Sequence, residues 1–228
     1  IFLIGINDTS VGNALEVCKG GIDADGVGKD QAVALTVLGN IGKTVVNGTV
    51  RLIGLIKVVK EGAGSYGTGV DYQYYAGGTC IAGGTIFASN PPGERLQFGL
   101  AETKLRVCDG ATLEVNGQHS FYCHEVVADG GVLQNTGGAV SVALAQWGNV
   151  ALETNTTVNV QNNYGFINYS YAPARLDLGG NTLTVNLASS VTANFYLFNT
   201  VMTRGQIKMA SGGWLNIDKT GLEARTVD

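Results

Sequence analysis

A repeated pair of apolar alternations, joined by a polar corner of nearly constant length, is the feature that most constrains the fold. Four segments share this plan, with a step of 5 or 6 residues between the two arms. Each arm alternates apolar and polar residues, which is typical of a β-strand with one buried face. The paired arms are residues 105–107 and 113–115, 150–152 and 158–160, 176–178 and 183–185, and 207–209 and 215–217.

The loops between copies vary while the corners do not. A looser fifth copy covers residues 132–134 and 140–142, and from residue 113 the second arms recur at 140, 158, 183 and 215. A parallel β-helix has this character, because each coil stacks on the one below and loops leave one edge freely. We therefore predict an all-β fold, a parallel β-solenoid, with a β-sandwich as the alternative. Asn recurs in or after the second arms, where stacked side chains could form a ladder along a solenoid, but turn chemistry is the interpretation we favour. The residues are Asn116, Asn159, Asn186 and Asn216.

One corner carries a family resemblance. Residues 176–185 read LDLGGNTLTV, and this segment resembles the strand repeat of autotransporter passenger domains, which are pectin-lyase-like right-handed parallel β-helices. The resemblance implies a secreted protein at a bacterial surface, where many passengers serve adhesion or self-association. The motif is a folding signature, and it implies no catalytic residue or ligand.

The composition excludes several classes of protein. Charged residues make up only 14% of the chain and the net charge is −4, so no basic excess exists to neutralise nucleic-acid phosphates. Hydrophobic residues at 45% disfavour disorder, and the abundance of Gly, Asn, Thr and Val disfavours a helical bundle. The chain contains no run of 18 apolar residues, so the sequence predicts no membrane-spanning helix.

The repeat divides the chain into two regions. Residues 101–228 carry the solenoid repeats, whereas residues 1–100 show no comparable motif and are predicted to be a β-rich region that caps or assembles the solenoid. The chain opens on Ile1-Phe2-Leu3-Ile4 without a Met, which we interpret as a processed product or a stretch of a longer polypeptide. So apolar a first strand is predicted to pair with another part of the chain or with a neighbouring subunit.

Four cysteines, at positions 18, 80, 108 and 123, permit three disulfide pairings. None forms a C-x-x-C motif, so zinc and thioredoxin-like sites have no supporting spacing. Buried free thiols and disulfides are equally compatible with the sequence. Cys108 and Cys123 are the better pair, because a spacing of 15 residues could place them on consecutive passes of the chain.

A Gly-rich acidic segment is the sharpest local signal for a ligand. Asp23, Asp25 and Asp30 lie within eight residues and could converge on a hard cation such as Ca²⁺. An EF-hand beginning at Asp23 fails, because Val27 and Ala34 occupy its fifth and twelfth positions. A solvated turn is the favoured interpretation, so we expect no cofactor, with calcium as the alternative.

Aromatic residues form the better contact patch. Tyr164, Phe166, Tyr169 and Tyr171 lie in a stretch with little charge, where alternate rings could stack on sugars or meet another protein. Packing within the fold is the simpler explanation for each ring taken singly.

These features favour a non-enzymatic extracellular or cell-surface protein, a β-solenoid that supports adhesion, matrix building or self-assembly into fibres. Its expected partners are further copies of the chain, or surface glycans and proteins. The sequence offers no candidate catalytic set. A polysaccharide lyase or hydrolase, or a carbohydrate-binding β-helix, is the alternative, and would need several carboxylates beside Arg or Lys on one face of the solenoid.

Overall fold

The fold was analysed in a computed structural model of the chain. It describes residues 2–5, 22–23, 33–38, 43–45, 52–54, 56–68, 74–89, 98, 103–116, 120–135, 146–160, 164–167, 174–188, 194–198, 200–210 and 214–217. Side chains are described for residues 57–65, 75–87, 98, 103–114, 125–134, 149–160, 175–188, 197 and 200–210.

The described residues form short β-strands and no helix, as the alternating pattern predicts. The strands are β1 (Phe2–Gly5), β2 (Ile22–Asp23), β3 (Val33–Leu38), β4 (Lys43–Val45), β5 (Leu52–Gly54), β6 (Ile56–Glu61), β7 (Ser65–Thr68), β8 (Tyr74–Tyr75), β9 (Thr79–Ile81), β10 (Gly84–Ser89), β11 (Lys104–Cys108), β12 (Ala111–Asn116), β13 (Ser120–Asp129), β14 (Val132–Asn135), β15 (Gln146–Leu152), β16 (Thr156–Val160), β17 (Tyr164–Ile167), β18 (Ala174–Asp177), β19 (Thr182–Leu187), β20 (Asn194–Phe198), β21 (Thr200–Met202), β22 (Gln206–Met209) and β23 (Trp214–Ile217).

Consecutive strands cross from one sheet to the next, and each strand pairs with a strand of the coil before or after it. A nine-stranded sheet has the order β1-β3-β6-β9-β11-β13-β15-β18-β21, and an eight-stranded sheet has the order β22-β19-β16-β14-β12-β10-β7-β4. Two further sheets have three strands each, in the orders β2-β5-β8 and β17-β20-β23.

Every pairing between the described strands is parallel. Parallel coils stacked in this way are a β-solenoid, which confirms the predicted fold class. The sandwich alternative is wrong, because its sheets would be antiparallel. Right-handedness, which the family resemblance implies, stays a prediction.

Inward residues stack in columns from coil to coil where side chains are described. In the eight-stranded sheet one column is fully buried from coil to coil, so each side chain packs on its equivalents above and below. Full burial of a Val or Leu stabilises the fold by roughly 1.5–3 kcal/mol. The column consists of Ile86, Leu113, Leu133, Val158 and Val185.

A lysine occupies one inward position of the nine-stranded sheet. Lys60 lies between Val37 and Ile81 in the register and is fully buried. Its ammonium donates hydrogen bonds to the carbonyl oxygens of Glu61 at 2.6 Å, of Gly62 at 2.9 Å, and of Gly83 on the next coil at 3.1 Å. Lys60 therefore joins the corners of two coils from inside the solenoid.

The copies of the sequence repeat lie on two different pairs of sheets in the structure. In three copies the first arms lie at β11, β15 and β18 of the nine-stranded sheet, and the second arms lie at β12, β16 and β19 of the eight-stranded sheet. The fourth copy is shifted by one face, because its arms are β22 and β23, the latter in a three-stranded sheet. Pairs of alternating arms thus occur at more than one edge of the solenoid.

The Gly-Gly-Asn corner at residues 179–181 bonds to the coils on both sides. Gly179 and Gly180 have φ values of 57° and 85°, in the left-handed region that favours glycine. The Gly180 amide donates to Arg204 O at 2.8 Å on the next coil, and Asn181 Nδ2 donates to Leu152 O at 3.1 Å on the preceding coil. This corner therefore sets the spacing of three successive coils.

Amide side chains form a ladder on the outer face of the eight-stranded sheet. Asn186 Nδ2 donates to Asn159 Oδ1 at 3.0 Å, and Asn159 Nδ2 donates to Gln134 Oε1 at 3.4 Å. The sequence-based interpretation of Asn159 and Asn186 as turn residues is wrong, because both lie within strands and bond from coil to coil. Aligned parallel strands place such side chains in register, as in other stacked β-structures.

The strands before residue 100 continue the same stack. β1, β3, β6 and β9 belong to the nine-stranded sheet that ends at β21, and Phe2 lies opposite Leu35. The apolar first strand therefore pairs within the chain over the described residues 2–5. A capping or assembly role for residues 1–100 stays a prediction.

Candidate functional site

The outer face of the nine-stranded sheet carries a row of charged side chains. Inward and outward residues alternate along each strand, so Lys104 and Arg106 of β11 point outward while Leu105 and Val107 are fully buried. The same face presents Glu125, Asp129, Arg175 and Asp177 on neighbouring strands, and Glu153 directly after β15. We define these seven residues as the charged face.

Arg106 joins three coils. Its Nη2 lies 2.7 Å from Asp129 Oδ2 and also contacts Glu153 Oε2, while Nη1 donates to Glu153 Oε1 at 3.1 Å. The two-pronged contact with Glu153 uses the fork geometry of a guanidinium. The hydrogen bonds that Arg106 donates to Glu153 and then to Asp129 raise the pKa of Arg106 above its ordinary value. The guanidinium is thus committed to its two carboxylates.

The cross-strand pair Lys104–Glu125 is simpler. The two residues lie directly opposite each other on β11 and β13, with Lys104 Nζ 3.1 Å from Glu125 Oε2. Both side chains are well exposed, so the pair contributes little free energy. Its clearer effect is on register, because opposite charges meet only in this alignment.

Asp177, from the family-like segment, faces outward as the alternation predicts. Its Oδ1 accepts hydrogen bonds from Thr203 Oγ1 at 2.5 Å and from the Gly179 amide at 3.1 Å, and Arg175 Nη2 lies 3.0 Å from Oδ2. The Thr203 hydrogen bond, followed by the Gly179 amide and the Arg175 charge, lowers the pKa of Asp177 against an opposing desolvation effect. Asp177 is therefore a structural acceptor at the corner and poorly suited to act as a general acid.

A groove of about 430 Å³ opens beside the charged face. It is bordered by Lys57, Lys104 and Arg106, with Cys80, Thr103 and Glu153 also lining it. Three cationic groups around one opening could attract an anionic group, although Lys104 and Arg106 already have carboxylate partners. Binding of an anionic group is therefore the chemistry that this groove can offer.

Two thiols meet at the edge of the same groove. Cys80 Sγ lies 3.8 Å from Cys108 Sγ, and both thiols are free and half-buried. Desolvation, and then the neighbouring Cys108, raise the pKa of Cys80, while the charges of Lys57 and Arg106 act in the opposite direction.

No protein family, curated protein or solved structure matches this chain. The resemblance of residues 176–185 to autotransporter passengers therefore stays a prediction, and the parallel solenoid stands on its strand pairing. Among the described residues no helix is long and apolar enough to cross a membrane. In the same part of the chain, no three or more His, Cys, Asp or Glu side chains are grouped as metal ligands.

Most residues singled out in the sequence lie where side chains are not described. Asp23 is in β2, while Asp25 and Asp30 lie outside the described residues, so the calcium hypothesis is not tested. Tyr164 and Phe166 lie in β17, which pairs with β20, and Tyr169 and Tyr171 lie outside the described residues. Ile1 is also outside them, whereas Phe2, Leu3 and Ile4 form β1.

The predicted Cys108–Cys123 disulfide also stays a prediction, because the side chain of Cys123 is not among those described. The backbone places Asp129, not Cys123, opposite Cys108. The proximity of Cys80 to Cys108 was missed in the sequence. The signal that could have found it is coil length: Thr79 lies opposite Leu105, 26 residues later, and the two cysteines are 28 residues apart.

Proposed function

We propose that this chain is a structural or adhesive β-solenoid of an extracellular or cell-surface protein, in the manner of an autotransporter passenger, and that it assembles end to end. The extracellular assignment is supported by the segment at residues 176–185 and by the low charge of the chain. Self-assembly is supported by the way the described coils end.

The support for self-assembly comes from the last coil of the described stack. Leu176, Leu183 and Val185 are fully buried, whereas their register partners one coil later, Met202, Ile207 and Met209, pack on the core but stay partly exposed. In the described residues β21 and β22 are edge strands with one neighbour each. An apolar rung beside open strand edges is a surface on which another solenoid coil can stack.

The ion pairs of the charged face favour a structural role for this protein over an enzymatic one. The carboxylates of this face are engaged by Arg106, by Lys104, or by Arg175 and Thr203. A glycosidase needs one carboxyl group with a raised pKa, and the pKa of Asp177 is lowered. The ion pairs of Lys104 and Arg106 join coils to one another, which is what a rigid fibre subunit requires.

Negative-stain electron microscopy of the purified chain over a dilution series tests the proposal. We expect rods joined end to end, shortening as the concentration falls because each junction is a reversible association. Single short rods at every concentration would contradict assembly.

A carbohydrate-binding surface is the second candidate, favoured by the cationic groove at Lys57, Lys104 and Arg106. The probe is an acidic polysaccharide such as polygalacturonate, tested by calorimetry at low and high salt, with a neutral glucan as the control. Salt-sensitive binding of the acidic polymer alone would support this candidate. Release of reducing ends or unsaturated sugars in the same mixture would favour the lyase or hydrolase alternative instead.

A further inference from the structure

Cys80 and Cys108 lie on adjacent coils of the nine-stranded sheet with their sulfur atoms 3.8 Å apart. Cys80 is opposite Arg106, so Cys80, Arg106 and Cys108 share the outward face of the sheet. A disulfide bond is about 2.05 Å long, so the two thiols are in van der Waals contact without a bond between them. The fold brings them together from positions 28 residues apart.

The register defines what bond formation requires. Cys108 is two residues beyond the partner of Cys80, so the cysteines are diagonal neighbours. Such neighbours have Cα atoms roughly 7–8 Å apart, slightly beyond the range of about 4.4–6.8 Å found in disulfides. The backbone must therefore shift slightly to bring these two Cα atoms closer together.

The local structure allows that approach. Cys108 is the last residue of β11 and is followed by an exposed turn at Asp109 and Gly110. A Cβ atom built on Gly110 would meet no other atom within 4 Å, so the turn has open space around it. This turn can take up a small shift of Cys108, which on its other side pairs with Asp129 of β13.

Reagents can reach the pair. Cys80 lines the groove beside Lys57 and Arg106, and both cysteines are half-buried rather than enclosed. Because the thiolate is the reactive form and burial raises the pKa of Cys80, exchange should accelerate as the solution becomes alkaline.

We propose that Cys80 and Cys108 are an oxidisable thiol pair that forms a disulfide between two successive coils of the solenoid. The oxidant is a small-molecule disulfide such as glutathione disulfide. One thiolate attacks it and releases one glutathione thiolate; the second cysteine then attacks the mixed disulfide and releases the other. Two protein thiols are oxidised, one disulfide is reduced to two thiols, and the two cysteine protons pass to solvent or to the released glutathione thiolates.

The test uses a C18S/C123S variant of this chain, in which Cys80 and Cys108 are the remaining cysteines. The reduced variant is first shown to fold by circular dichroism and thermal unfolding. It is then incubated with glutathione disulfide at mildly alkaline pH, digested and examined by mass spectrometry, with a non-reducing gel to show that the product is monomeric. We expect a peptide that joins Cys80 to Cys108 and is lost on reduction. A triple variant that also carries C80S is the matched control and should give only the glutathione adduct.

A thermal measurement adds a second readout. The bond closes a loop of about one coil, so the oxidised variant should unfold roughly 5 °C above its reduced form. The C80S control should show no such difference. A monomer that keeps two free thiols or carries only glutathione adducts would overturn the proposal. So would an oxidised wild-type chain that links Cys108 to Cys123.

Discussion

Asn181 Nδ2 donates a 3.1 Å hydrogen bond to the carbonyl oxygen of Leu152, one coil earlier, and Gly179 closely approaches the same oxygen. A Cβ atom at Gly179 would lie 2.7 Å from Leu152 O. Position 179 therefore requires glycine, because a side chain there would meet the carbonyl oxygen of Leu152. Position 181 requires a side chain that can donate a hydrogen bond to that oxygen. The glycine admits the carbonyl, and the asparagine satisfies it.

Gly179→Ala should destabilise the solenoid more than Gly110→Ala does. Both glycines have left-handed φ values, 57° and 73°, but a Cβ at Gly110 meets nothing within 4 Å. We expect about 1 kcal/mol for Gly110→Ala, from backbone strain alone, and roughly 2–4 kcal/mol for Gly179→Ala, where a methyl group also meets a backbone oxygen. Urea unfolding measures both. Equal losses would show that packing against Leu152 contributes nothing.

Lys60→Met should lower the free energy of unfolding by roughly 1–3 kcal/mol, because the carbonyls of Glu61, Gly62 and Gly83 lose their common donor. Burial lowers the pKa of Lys60 below 10.5. The charged lysine therefore carries a desolvation cost that diminishes as the pH rises from the folded pKa towards 10.5.

Lys57→Met on the same strand is the control for Lys60→Met. Lys57 is exposed on the outward face, so its replacement should change stability by no more than about 0.5 kcal/mol. Chemical denaturation at neutral pH compares the two variants. A Lys60→Met variant as stable as the wild type would mean that the three hydrogen bonds only offset the cost of burying the charge.

Asp177 should give the solenoid an acid-sensitive contribution to stability. Its pKa is lowered from 3.8 in the folded chain, chiefly by Thr203, so the folded state binds this proton less readily than the unfolded state does. The contribution is complete above pH 3.8 and is lost as the pH falls through the lower folded pKa. In Asp177→Asn the acid limb of the stability curve should be flatter.

Thr203→Val is the companion variant for Asp177, because it removes the hydroxyl that donates to Oδ1 while keeping the shape of the side chain. It should shift the loss of stability to higher pH. Thermal unfolding between pH 2 and pH 7 follows all three proteins. Identical acid limbs in the wild type and Asp177→Asn would contradict the role given to this carboxylate.

The sequence predicted the parts of the fold that depend on local chemistry. Period-two alternation located strands such as β11 and β19, and the Gly-Gly-Asn corner at residues 179–181 turns the chain as expected. Alternation also predicted that Asp177 points outward. These features depend on residues that are close together in the sequence, so the sequence alone is enough to predict them.

What the sequence did not predict depends on coil length. The variable loops set which residues lie opposite each other, and so they decide that Asn186 meets Asn159 and that Cys80 meets Cys108. Lys60 was unexpected for another reason: its inward position is stabilised by carbonyls of two corners, one of them on the next coil. Contacts across coils are long-range, and alternation within one strand carries no information about them.

Met209→Lys should abolish end-to-end assembly. Met209 lies on the edge strand β22, where it packs on the core but stays partly exposed, so a lysine can keep its stem on the apolar surface and extend its ammonium outward. A second solenoid stacking on this rung would then have to bury an unpaired charge, which is strongly unfavourable. Sedimentation velocity over a concentration series should show short particles for the variant and longer assemblies for the wild type.

Lys208→Gln is the control for Met209→Lys, because Lys208 is the exposed neighbour on the same strand and points away from the core. It should assemble like the wild type. Circular dichroism and urea unfolding must show that Met209→Lys keeps its β-structure, so that lost assembly is not lost folding. If a folded Met209→Lys variant assembles as the wild type does, this rung is not the assembly surface. The junction must then lie elsewhere, and the end of the stack at β1, whose first residues are Phe2 and Leu3, is the next place to introduce a charge.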